Sequence, residues 1–206
     1  MVMKITALKY QAKNPDRVSV FVDNSYSFSL TVQDIVETGI KKDTALTEQD
    51  IAAYKKLCAD GKIKSRVLEW LQGRPHSVQE LNEYFFRKKV DADLADKLRA
   101  ECLAKGILND ERYAGWAIER LKRKNKSDRA IASELMKKGI STQVTLTLLK
   151  NEQTTDRDAL NLLLYKVQNK PRYSDKNKLI AYLLGKGFSY DEVKKATSLQ
   201  EPEEDF

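Results

Sequence analysis

The stretch Ser127-Asp128-Arg129-Ala130-Ile131-Ala132-Ser133-Glu134-Leu135-Met136-Lys137-Lys138-Gly139-Ile140-Ser141 decides how the chain is read. Ile131 and Leu135 recur at helical spacing. A serine opens the stretch, where its hydroxyl can accept from an orphan amide of the first turn. The stretch closes on Lys-Gly-Ile: glycine accepts the left-handed C′ conformation, and the next apolar residue packs back onto the last turn. The pattern occurs twice more. Fifty residues earlier, Ser77-x-x-Glu80 opens a helix as a predicted capping box; Leu81, Phe85 and Phe86 follow, and the helix ends Lys88-Lys89-Val90-Asp91. Forty-seven residues later, Ser174 opens a third helix that ends Lys186-Gly187-Phe188-Ser189. From each opening serine to the next helix-opening residue the intervals are 14, 14 and 15. Self-similarity near 48 residues is the signature of stacked supersecondary units, here three helices each.

Outward from this stretch, the spacing predicts helices over 62–72, 77–89 and 91–105, then 110–125, 128–138 and 142–151, then 156–169, 175–186 and 190–198. Ser189-x-x-Glu192 is a further capping box. Ahead of the repeats, Thr47-x-x-Asp50 opens a connecting helix that runs towards Asp60-Gly61, and a second helix stops at Gly73-Arg74-Pro75. The first thirty residues have a period of two instead: Leu8 and Tyr10, Val18, Val20 and Val22, Tyr26, Phe28 and Leu30. Asn14-Pro15-Asp16 and Asp23-Asn24-Ser25 supply turns, so the reading is an antiparallel meander over 3–11, 16–23 and 26–30. A sheet this small needs cover, part of which a short helix from Thr31 to Glu37 could provide.

The expected fold is therefore mostly α: tandem three-helix repeats in an elongated, curved helical body, preceded by a small β meander. Its parts are 1–46 (meander and short helix), 47–61 (connecting helix), 62–106, 107–153 and 154–200 (repeats), and 201–206 (acidic tail).

Composition narrows the function. Of 206 residues 33% are charged, and no run of 18 apolar residues offers a membrane span. The N-terminus lacks the apolar core and cleavage site of a signal peptide, so a cytoplasmic protein is expected. Cys58 and Cys102 lie far apart without a CxxC pairing and read as small buried hydrophobes. His76, the only histidine, reads as a solvated loop residue beside a helix cap. There is no clustered metal-ligand set, no GxxxxGK loop and no dinucleotide fingerprint. The sequence calls for neither an enzyme nor a cofactor.

The charge of +7 is concentrated: from Arg112 to Lys138 nine basic residues face only Glu119, Asp128 and Glu134. Such a field suits a polyanionic partner. The candidate contact residues are Arg120, Lys122, Arg123, Lys124, Lys126 and Arg129; the alternative for each is a solvated helix face. Trp70 and Trp116 sit at helical spacing and read as packing residues.

Leu108-Asn109-Asp110-Glu111-Arg112-Tyr113-Ala114 is the most distinctive local string. Asn109 or Asp110 caps its helix, and Tyr113, Ala117 and Leu121 share one face. At this string the chain resembles the RecX family, whose corresponding helix opens Leu-acidic-Asp-x-Arg-aromatic-Ala. Val67 to Ser77 with Glu80-Leu81, and Glu134 to Ile140, are similar to two further signatures of that family. The resemblance covers about 62–200, and the strand segment resembles an extension that some members carry. It implies a non-catalytic regulator, a monomer, that binds RecA and RecA–single-stranded-DNA filaments. Such a regulator would modulate, chiefly inhibit, their recombinase, ATPase and co-protease activities, with direct contact to single-stranded DNA left open. The competing expectation is a direct DNA-binding regulator that uses 110–138 as a helix-turn-helix-like pair.

Overall fold

The computed structural model describes residues 2–167 and 169–198; the acidic tail lies outside them. The chain divides into two units, one from residues up to Gly73 with Val90–Leu94, the other from Arg74–Lys89 and from Ala95 onward.

In the first unit, β1 (Met3–Gln11), β2 (Asn14–Val22) and β3 (Ser25–Thr31) form the expected antiparallel meander. The β2–β3 turn is Asp23-Asn24, both at positive φ (46° and 65°), the conformation that suits a two-residue hairpin loop. The first turn lies earlier than expected. Gln11 pairs with Asn14, and a register shift beside Tyr10 absorbs the residues around Pro15, whose missing N–H cannot join the ladder. A fourth strand, β4 (Ala45–Leu46), pairs with Met3 and Lys4, giving the order β3-β2-β1-β4. Two residues are too few to show a period, so the sequence pattern is silent on it.

Alternation places Ile5, Val20, Val22, Phe28 and Leu30 in one core. Their main cover is α2 (Glu48–Gln72), through Ile51, Tyr54, Leu57 and Cys58, with Tyr54 stacked on Phe28 at 5.3 Å. The short α1 (Val32–Thr38) contributes Ile35. The expected break at Asp60-Gly61 is absent, since α2 runs unbroken for 25 residues. A lone interior glycine costs a helix only ~1 kcal/mol, less than the burial of Val67 and Leu71 that follows it. Thr47 caps this helix as expected, and Asp50 returns a hydrogen bond to complete a capping box.

The later helices follow the periodicity closely: α3 (Val78–Lys88), α4 (Ala92–Ala104), α5 (Asp110–Lys122), α6 (Asp128–Lys137), α7 (Thr142–Lys150), α8 (Asp156–Val167), α9 (Lys176–Gly185) and α10 (Tyr190–Ser198). Ser77, Asn109, Ser127 and Ser141 cap the helices they precede. The third opening is shifted by one residue: Asp175, not Ser174, caps α9, while the Ser174 hydroxyl donates to the Pro171 carbonyl in a preceding 3-10 turn. α5, α6 and α7 enclose Tyr113, Ala114, Ile118, Leu121, Ile131, Leu135, Ile140 and Leu149. α8, α9 and α10 do the same with Leu160, Leu163, Leu164, Leu183, Phe188 and Val193.

Candidate partner-binding surface

Four of the six candidate cations, Arg120, Arg123, Lys124 and Arg129, are exposed. Arg120, Arg123 and Lys124 share a face at i, i+3 and i+4. Arg123 is 3.5 Å from Glu119 across open surface, where such a pair holds little energy.

Lys122, Lys126 and the exposed Arg129 are engaged in contacts within the fold. The Lys122 side chain is 8% exposed, with its ammonium 2.6 Å from Asp128 Oδ1 and 4.0 Å from Asp156, and it donates to the Thr154 carbonyl at 2.8 Å. Lys126 pairs with Glu134 at 2.9 Å. Arg129 donates to the carbonyls of Gly187 and Phe188 at 3.1 and 3.3 Å. These partners lie up to 59 residues away, so no local pattern announces them.

They belong to a junction that the second unit builds twice. The amide of the first residue of α3, Val78, donates to Asp110 at 2.8 Å, and that of α6, Asp128, donates to Asp156 at 2.8 Å. Each acidic residue opens the first helix of the following repeat and satisfies an orphan amide on the second helix of the one before. The glycine ends complete the contact. A Cβ on Gly139 would meet Gln79 at 3.1 Å, and one on Gly187 would meet Ala130 and Ser127 at 2.4 Å. The Ser127 amide donates to the Lys186 carbonyl at 3.1 Å, so the start of α6 meets the end of α9. The Leu108–Ala114 string is thereby explained: Leu108, Tyr113 and Ala114 are buried, Asn109 caps, Asp110 crosses to α3, and Arg112 donates to the Ile107 carbonyl.

The first junction also holds a cluster that the sequence reading placed differently. Glu80 is not the returning half of a capping box. Ser77 does accept from the Glu80 amide, but the carboxylate turns to Arg74 at 2.8 and 3.1 Å, to His76 at 2.9 Å and to Lys138 at 3.6 Å. His76 is accordingly buried at 5% exposure rather than solvated. Burial pushes the Glu80 carboxyl up, but the hydrogen bonds and charges of Arg74, His76 and Lys138 together outweigh it and hold the group below its ordinary value. Tyr113 is pushed up to about 12, by burial first and then by the Glu80 charge. Trp116 packs against the core as expected and carries the guanidinium groups of Arg74 and Arg120, 5.0 and 5.1 Å from its ring centre. Cys58 and Cys102 are buried as expected.

Among the described residues there is no cluster of three or more metal-ligating side chains, and no helix is long and apolar enough to cross a membrane.

Comparisons with known proteins agree with this architecture. Residues 3–47 match the regulatory protein RecX N-terminal domain, and residues 163–197 match the third three-helix domain of RecX. The likeness therefore extends into the strand segment, beyond the 62–200 carried by the motifs. A regulatory protein RecX from Clostridium perfringens is 31% identical, covering 91% of this chain and 92% of that protein. One from Listeria welshimeri is 26% identical over 96% of this chain and 76% of its own length. A crystal structure of regulatory protein RecX superimposes with a TM-score of 0.71 at 20% identity, over 95% of this chain and 99% of that one. That of RecX from Lactobacillus salivarius gives 0.54 at 20% identity, over 68% and 95%. By fold, by repeat motifs and by likeness along nearly its whole length, the chain belongs to the RecX family of regulatory proteins.

Proposed function

We propose that the chain is a non-catalytic cytoplasmic regulator that binds RecA, and RecA filaments on single-stranded DNA, as a monomer. In this reading it lowers recombinase, ATPase and co-protease activities. Membership in a family of regulatory proteins carries the proposal. The outward row Arg120, Arg123 and Lys124 supports it, since exposed, same-face cations suit a polyanionic nucleoprotein. The repeats at 62–106, 107–153 and 154–200 would present that row. The test is single-stranded-DNA-dependent ATP hydrolysis by RecA, with co-sedimentation of the chain on the filaments. Reduced hydrolysis with co-sedimentation is expected; unaltered hydrolysis and no association across salt conditions would sink the proposal.

The helix-turn-helix alternative is disfavoured by one contact. A recognition helix reads base edges with its N-terminal residues. At the start of α6, Ser127, Arg129 and Ala130 lie against the end of α9. A gel shift on random duplex should show weak, sequence-independent binding.

A further inference from the structure

Arg74, Glu80, Tyr113, Trp116, Arg120, Glu134, Lys137 and Lys138 are among the residues lining a recessed cavity of about 210 Å³ where α3, α5 and α6 meet. We infer that this cavity is a receptor for an acidic side chain of the partner protein, with Arg120 and Lys137 as its ligands. The inference rests on the proposed function, in which the partner is the protein subunits of the filament.

Charge comes first. Four cations line the cavity against two carboxylates. Glu80 is committed to Arg74 and Lys138, and Glu134 to Lys126. Arg120 and Lys137 are exposed and have no carboxylate partner among the described residues. Both line a recess with an aromatic wall, where a carboxylate gains charge-assisted hydrogen bonds in partly excluded solvent.

The second observation is the duplicate junction. Repeat stacking alone does not require this cluster, because the contact between the second and third repeats is made without it. In the register set by Asp110 and Asp156, Trp116 corresponds to Leu162 and Arg120 to Lys166. In the register set by the helix caps, Glu80 corresponds to Ala130 and Lys137 to Gly185. Both junctions keep the crossing amide–carboxylate bond and the left-handed glycine. Only the first combines the indole, the two guanidinium groups and the unmatched lysine.

The indole argues against a stacked base. A base stacks on an open aromatic face, whereas Trp116 already carries Arg74 and Arg120. A protein carboxylate needs no such face. It can meet the Arg120 fork and the Lys137 ammonium and leave the indole stack in place.

The test uses the full chain. In Trp70→Phe, Trp116 is the sole indole. Titration with hexaglutamate should change its emission, and Arg120→Gln with Lys137→Gln should abolish the change at an unaltered melting temperature. No response to hexaglutamate overturns the inference. So does a response to hexathymidylate that the same substitutions remove, because the site would then bind phosphate. In parallel, the double variant should bind RecA–DNA filaments at least tenfold more weakly than the parent protein; equal binding overturns the inference while leaving the proposed function intact. If the parent protein does not bind filaments, the proposed function fails, and the peptide titration still decides the cavity.

Discussion

Glu80 and Lys122 are single charges that each tie two repeats together, and each makes a distinct prediction. A carboxyl whose pKa is depressed on folding stabilises the fold above its ordinary value, and the contribution fades as pH falls through the folded value. For Glu80 that ordinary value is 4.5. Glu80→Gln should therefore cost about 2 kcal/mol at pH 7, by leaving Arg74 and Lys138 without their carboxylate. The difference from the parent protein should begin to shrink in urea melts as pH falls past 4.5 and vanish only below the lower, folded value. At the Lys122 junction it is a carboxyl with the opposite shift that matters. Burial, and then the Asp128 charge, push the Asp156 carboxyl up, although the Asp128 amide and Lys122 work against them. Lys122→Met should cost roughly 2–3 kcal/mol at pH 7, towards the low end for a broken buried pair because Asp128 keeps some solvent. A group with a raised folded pKa takes up its proton more readily in the native state, so this deficit should shrink on acidification. A constant deficit from pH 7 to pH 4 would refute that account.

The ends of the second helices obey one rule with one exception. Twelve residues after the caps Ser77, Ser127 and Asp175 stand Lys89, Gly139 and Gly187, all at positive φ (50°, 78° and 100°). Glycine adopts this conformation freely and lysine does not. Lys89→Gly should raise stability by about 0.5–1 kcal/mol in chemical denaturation, since the native conformation is kept and its strain is removed. Gly187→Ala should do the reverse. Its Cβ would overlap Ala130 and Ser127 at 2.4 Å in a left-handed backbone, so a loss of about 3 kcal/mol is expected. Both glycines were legible as helix stops. Their second role, allowing α6 to approach α3 and α9 to approach α6, depends on contacts with residues some sixty positions away. Helix periodicity does not encode those.

For the molecule as a whole, net charge is a poor guide to the surface it will present. The basic field between Arg112 and Lys138 is real in the sequence, yet Lys122 and Arg129 hold repeats together and Lys126 is paired with Glu134 within its own repeat. The proposed partner surface therefore narrows to Arg120, Arg123 and Lys124. Arg123→Glu with Lys124→Glu should weaken filament binding, flatten its salt dependence and leave the melting temperature almost unchanged. Unchanged binding would show that these two residues are only a soluble face. Arg129→Glu makes the contrast, because it should lower the melting temperature through its lost bonds to Gly187 and Phe188.

What the sequence determined by itself is whatever local physics governs. The period of two in the first thirty residues, the helical period after them, the hydroxyl and carboxylate caps and the left-handed glycine ends all depend on neighbours within a few positions. Tertiary structure decided what depends on which surfaces meet. It ran α2 through Gly61, burying Ile51 and Cys58 before it and Val67 and Leu71 after it, and it buried His76 beside Glu80. It turned Glu80 from a cap into the centre of an ion cluster, and it divided six candidate cations into those engaged within the fold and those left to meet a partner. A charge is recognised from its own side chain, but whether it is spent is settled by a carboxylate or carbonyl that only folding brings to it.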